Sequence, residues 1–182
     1  MFIDLLRQRR SIRRFQNKPV EKEKIEILME AALRAPSSRG FNPWEFFVVT
    51  DSKIIDKLSS AKPHGAAFLK NAPLAVVVCA DMSKSDVWIE DAAIASLILH
   101  LAASDLGLGS CWIQIRLREH DARQSAQEYI AGLLGLKEKL AVLSMIAMGY
   151  PMEEKSGHSK ASLLLDKVHF VNEMNGSSSE PR

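Results

Sequence analysis

Cysteine is scarce in this chain: 182 residues hold two, Cys79 and Cys111. They lie far apart and outside any Cys-x-x-Cys spacing, which argues for buried free thiols in a reducing cytoplasm rather than a disulfide or zinc framework. The five histidines form no i, i+4 pair, so no metal site is expected. Long apolar runs are missing too. The most apolar stretch, 92–106, carries Ser96, His100, Ser104 and Asp105, too short and too polar for a membrane span. Asp4 and Arg7 interrupt the apolar start, so no signal peptide is expected. A Gly-x-Gly-x-x-Gly after a strand, a Walker A loop and a Gly-x-Ser-x-Gly elbow are all absent. Their absence disfavours a dinucleotide fold, a phosphate-binding loop and a serine hydrolase. Net charge is only +2, from 24 basic and 22 acidic residues, which argues against a general binder of polyanions.

What is present is local. Arg7, Arg9, Arg10, Arg13 and Arg14 face only Asp4 among the first fourteen residues. Arg9-Arg10-Ser11-Ile12-Arg13 puts three guanidiniums and a hydroxyl within five positions. Arginine offers a fixed fork of N–H donors and stays charged at any working pH, so this is a dense set of donors for a phosphate. Ala35-Pro36-Ser37-Ser38 and Asn42-Pro43-Trp44 follow as turns that expose backbone groups and short polar side chains, suited to the edge of a planar polar ring. Together they suggest a nucleotide-like cofactor. Taken alone, the arginine run equally fits a solvated face or a nucleic-acid patch, so a non-catalytic nucleotide or nucleic-acid binding module stands as the alternative.

Periodicity divides the chain into helices and strands. Helices are expected over 2–9, 21–34, 53–61, 86–106 and 121–134, with a helical turn over 65–70. Strands are expected over 45–50, 74–80, 110–115 and 141–148. The third helix opens at Asp51-Ser52 and the longest is stopped by Gly107. That longest helix is apolar on most faces from Ala92 onward, as a helix packed on several sides must be. Glu90 and Asp91 read as a solvated helix start favoured by the dipole, not as an acid–base pair. Residues 152–160 read as polar and mobile, Val168-His169-Phe170 as strand-like, and 175–182 as a disordered tail. One domain is expected over 1–174.

Four motifs in this order carry a family resemblance: Arg9-Arg10-Ser11-Ile12-Arg13-Arg14-Phe15; Ala35-Pro36-Ser37-Ser38 with Asn42-Pro43-Trp44; Leu106-Gly107-Leu108-Gly109-Ser110-Cys111-Trp112-Ile113; and Ala147-Met148-Gly149-Tyr150-Pro151. From Phe2 to about Phe170 the chain resembles the nitroreductase family of FMN-dependent oxidoreductases. The resemblance implies an α+β fold: a central mixed, mostly antiparallel sheet flanked by helices, in an intertwined homodimer. It implies FMN as cofactor, NADH or NADPH as hydride donor, and a small-molecule acceptor such as a nitroaromatic or quinone. Arg9, Arg10, Ser11 and Arg13 would hold the FMN phosphate, ribityl chain and pyrimidine side. Pro36, Ser37, Ser38 and Asn42 would come from the partner subunit. Cys111, Trp112, Ile113 and Gln114 would lie against the ring, Gly149 would close the wall, and Lys160 would add charge at the phosphate. Relatives often carry arginine in a proline-containing context at this last position, where this chain reads Ser159-Lys160-Ala161-Ser162. The stretch 64–71 departs too far to carry over. No nucleic acid or membrane partner is implied, and one pocket used in turn by donor and acceptor implies ping-pong kinetics.

Overall fold

The segment Leu-Ala-Val-Val-Val-Cys-Ala-Asp has no polar alternation, and a strand of this kind needs both faces covered. In the computed structural model, which describes residues 1–171, it is β2 (Leu74–Asp81) and every residue in it is buried. The equally apolar β4 (Leu140–Gly149) pairs with it at the centre of a four-stranded sheet, with β1 (Trp44–Val49) and β3 (Gly109–Gln114) at the edges. The order is β1-β2-β4-β3 and every strand pair is antiparallel. The expected parallel component is confined, among the described residues, to the isolated bridge between Ser11 and Ser110.

Each face of the sheet carries its own core. One gathers Ala75, Val77, Cys79, Met145 and Ala147 under α3 (Ser52–Ser59), α5 (Ala126–Leu134) and the side chains of Ile12 and Phe15. The other gathers Val76, Val78, Ile146 and Met148 under α2 (Lys22–Leu33) and α4 (Trp88–Asp105). The first helix, α1 (Phe2–Gln8), packs on α4 and buries no residue fully. Helix α4 ends where Gly107 adopts φ 73°, a left-handed turn that glycine enters without steric cost. Leu108 N–H then reaches back to Ala103 O at 2.8 Å.

One helix start is corrected. The helix expected from Asp121 begins at Ala126, because Asp121 accepts the N–H groups of Arg123 and Gln124 in a tight turn. Ser125 and Glu128 then form the capping box that opens α5. Val168-His169-Phe170 forms no strand within the chain and is exposed. The expected domain end at 174 and the expected tail 175–182 lie outside the described residues.

Candidate functional site

The arm from Arg9 to Gln16 is clamped between the start of β3 and the chain leaving β4. Ile12 N–H donates to Ser110 O at 3.0 Å, Gln16 N–H to Tyr150 O at 2.8 Å, and Met152 N–H to Arg14 O at 2.9 Å. A Cβ on Gly109 would meet Ile12 Cβ at 2.8 Å, so only glycine admits the arm this close. Ile12 and Phe15 enter the core while Arg9, Arg10 and Ser11 are half-buried and Arg13 is exposed.

Residues 152–156, within the stretch expected to be mobile, are instead tied to this arm. Glu153 Oε1 accepts the N–H groups of Arg13 (2.6 Å) and Arg14 (3.2 Å). Those bonds, Arg13's first, with the Lys155 ammonium 3.1 Å away, hold its carboxyl below the usual range. Lys155 Nζ also donates to Ser11 O at 2.8 Å, and the Arg10 guanidinium donates to Ser156 O. Among the described residues no carboxylate pairs with Arg9, Arg10 or Arg13. Arg9, Arg10 and Lys155 line a cavity of about 1000 Å³ floored by Gly109 and Ser110. Lys160 does not line it and sits on an exposed turn, while Lys155 from the same segment does line it.

A groove of about 290 Å³ continues from Arg9 and Ser11 along α4, past Leu97 and His100 to Trp112. His100 Nδ1 lies 2.7 Å from Ser110 Oγ, and its ring stacks on Trp112 with centroids 6.4 Å apart. Burial, then the charge of Arg9, lowers the His100 pKa to about 4, so the ring is neutral at pH 7. Trp112 Nε1 donates to Gln114 Oε1 at 3.0 Å, fixing both side chains on this face of β3.

Cys111 and Ile113 point to the opposite face, into the core beneath α5 and Ile12. Side chains alternate along a strand, so Trp112 and Gln114 share the other face, with Trp112 on the groove along α4. Burial raises the Cys111 thiol pKa, opposed by the nearby Arg13 charge, and pushes Cys79 up to about 12. Gly149 also has a packing role: a Cβ there would meet Pro73 Cδ at 2.5 Å, so this glycine seats a proline. Phe68, in the stretch 64–71, has its ring 5.7 Å from the Arg13 guanidinium carbon.

The polar loop 36–42 is not brought to the arginines of its own chain. Ser38 N–H is anchored on Asp91 Oδ1 at 2.8 Å, at the first turn of α4. Leu97, His100 and Ser104, which line the two cavities, lie about 180–240° around the helix from Asp91 at 3.6 residues per turn. Asp91 itself, read from sequence as solvated, is 3% exposed. Its role and those of Glu153 and Lys155 depend on contacts between distant segments, and no local pattern announces them.

Residues 6–88 and 60–150 match the family model described as the nitroreductase family. The chain belongs to the nitroreductase family. A provisionally named NADH dehydrogenase/NAD(P)H nitroreductase of Archaeoglobus fulgidus is 37% identical over 157 residues, covering 84% of this chain and 87% of its own. Among solved structures, an FMN-dependent nitroreductase of Clostridium difficile R20291 superposes with a TM-score of 0.92 at 48% identity, covering 93% of this chain and 99% of that one. A provisionally named nitroreductase of Desulfovibrio desulfuricans, solved in complex with FMN, superposes with a TM-score of 0.76 at 25% identity, covering 95% and 98%. The α+β fold anticipated from the four motifs is therefore the fold of this family.

Proposed function

We propose that the protein is an FMN-dependent oxidoreductase that takes hydride from NADH or NADPH and reduces a small acceptor, a nitroaromatic or quinone, in the same pocket. The observation that carries this reading is a pair of guanidiniums, Arg9 and Arg10, without carboxylate partners among the described residues and lining a cavity of about 1000 Å³ beside Lys155. Such a set fits a phosphate monoester, because the guanidinium fork makes strong, bidentate, charge-assisted bonds to phosphate oxygens. When bound, FMN supplies the two-electron chemistry, and the protein supplies binding, orientation and electrostatics. Arg9, Arg10 and Lys155 would hold the phosphate, and Ser11 and Arg13 the chain and ring edge. Trp112 and Gln114 would present the wall, their orientation locked by the indole–amide bond. Neutral His100 would add no charge beside the ring. The relatives named for NAD(P)H and for FMN support donor and cofactor alike.

The Pro36–Asn42 loop lies across α4 from its own cavities, so its part in a flavin site would be played in the partner of a homodimer. Ile94 and Leu97 on α4 and Phe2, Ile3 and Leu6 on α1 are exposed apolar surface for that partner to cover. One pocket serving donor and acceptor in turn makes the kinetics ping-pong. No described helix is long and apolar enough to cross a membrane; with two unpaired thiols and a nicotinamide donor, we place the enzyme in the cytoplasm.

The binding-module alternative is less well supported, because the relatives this chain resembles are named for NAD(P)H and FMN chemistry and the net charge is only +2, little for a polyanion-binding stripe. Titration with FMN tests the choice. A charge-assisted contact contributes about 1.5–3 kcal/mol, so Arg9→Ala should weaken FMN binding roughly ten- to a hundredfold without unfolding the protein. Affinity within twofold of wild type, or a wild type that binds nucleic acid and no flavin, would remove the reading.

A further inference from the structure

The buried carboxylate of Asp91 has no part in the arginine cavities, yet the fold spends two specific contacts on it. Oδ1 accepts the N–H of Ser38 at 2.8 Å and Oδ2 accepts the hydroxyl of Ser85, itself buried, at 3.0 Å. Arg39, Gly40 and Asn42 in the loop adopt φ of 53°, 68° and 46°. Left-handed backbone at two residues that carry a Cβ persists only where the surroundings over-determine it. Ser37 Oγ and Asn42 close the loop from within, donating and accepting at 2.8 and 2.9 Å. Those bonds shape the loop without fixing where it stands. Asp91 does that, by joining the turn to the first turn of the rigid helix α4.

We propose that Asp91 is a positioning residue acting in trans: it holds the Pro36–Asn42 loop of its own chain at the height where that loop meets the flavin bound by the partner subunit's Arg9 and Arg13. The assignment rests on the functional reading above. It follows from placement, since the loop and the arginine cavities occupy opposite sides of α4 and the loop has no flavin of its own chain to meet. The carboxylate serves as a double acceptor.

FMN affinity of the variants is the first readout. Asp91→Ala leaves the Ser38 N–H without its acceptor and should lose about five- to a hundredfold in FMN affinity. Asp91→Asn keeps an oxygen for Ser38 and offers its amide to Ser85, and should restore most of that loss. Loop release should also show as faster tryptic cleavage after the exposed Arg39 in the Ala variant. Mixed dimers decide where Asp91 acts. Pairing an Asp91→Ala chain with an Arg9→Ala/Arg13→Ala chain puts both defects in one site and leaves the other intact, so about half the wild-type flavin should be retained per dimer. If Asp91 acts in its own chain's site, or only on folding, both sites are defective and the mixed dimer stays empty, which overturns the proposal. An Asp91→Ala homodimer that binds FMN like wild type overturns it equally. A wild type that takes up no FMN would remove the functional reading instead.

Discussion

His100 sits where the site meets the core, and its depressed pKa of about 4 gives the protein a pH signature. Above the unfolded value near 6.5 neither state binds a proton there. Between 6.5 and 4 the unfolded chain takes one up and the folded chain does not, so stability falls as pH falls through that window. The loss is about 2 kcal/mol between pH 7 and pH 5, at 1.36 kcal/mol per pH unit below 6.5. Urea melts at the two pH values should show it in wild type, and His100→Gln should flatten the dependence. Equal pH dependence in both would show that this ring is not what titrates. At this scale the sequence was legible where identity alone decides: Arg9 and Arg10, conspicuous in sequence as a cluster of donors, line one cavity. It was illegible where a residue's role depends on what arrives from elsewhere. Lys155 and Lys160 look alike in sequence, and only the fold brings Lys155 Nζ to Ser11.

Elements were read well where the period is strong. The unbroken apolar runs of β2 and β4 and the helix-length repeat of α2 fall within a residue or two of their observed bounds. Where two start signals compete, the stronger wins. Asp121 resembles a cap, but Ser125-x-x-Glu128 satisfies two backbone N–H groups reciprocally, and α5 starts there. Glycines divide by what surrounds them. Gly149→Ala drives a methyl into Pro73 and should destabilise by about 1–3 kcal/mol through overpacking. Gly132, inside α5 with open space around it, should gain about 0.5–1 kcal/mol on change to alanine. Chemical denaturation of the two variants reads the opposite signs, and a shared sign would refute the packing argument.

At the scale of the whole molecule, the exposed residues Leu163, Leu164, Leu165, Val168 and Phe170 stand beside a chain that leaves α4 partly uncovered. A dimer in which each chain's last segment lies on its partner accounts for both. Ending the chain after Gly157 should then lower dimer stability and flavin content together, as sedimentation and absorbance would record. A truncated protein that stays monomeric and keeps its flavin would defeat the shared site. Apart from the family resemblance, the sequence could foreshadow this only through unpartnered apolar residues, because no single-chain pattern says which surface another copy covers.

The central claim is one flavin pocket visited in turn by donor and acceptor, and double-mixing stopped flow under nitrogen reaches it directly. NADH or NADPH in the first mix should bleach the flavin band with no acceptor present. A nitroaromatic or quinone in the second should restore the band after the nicotinamide is spent. A flavin that bleaches only when donor and acceptor are present together, or that no nicotinamide bleaches, would contradict the account.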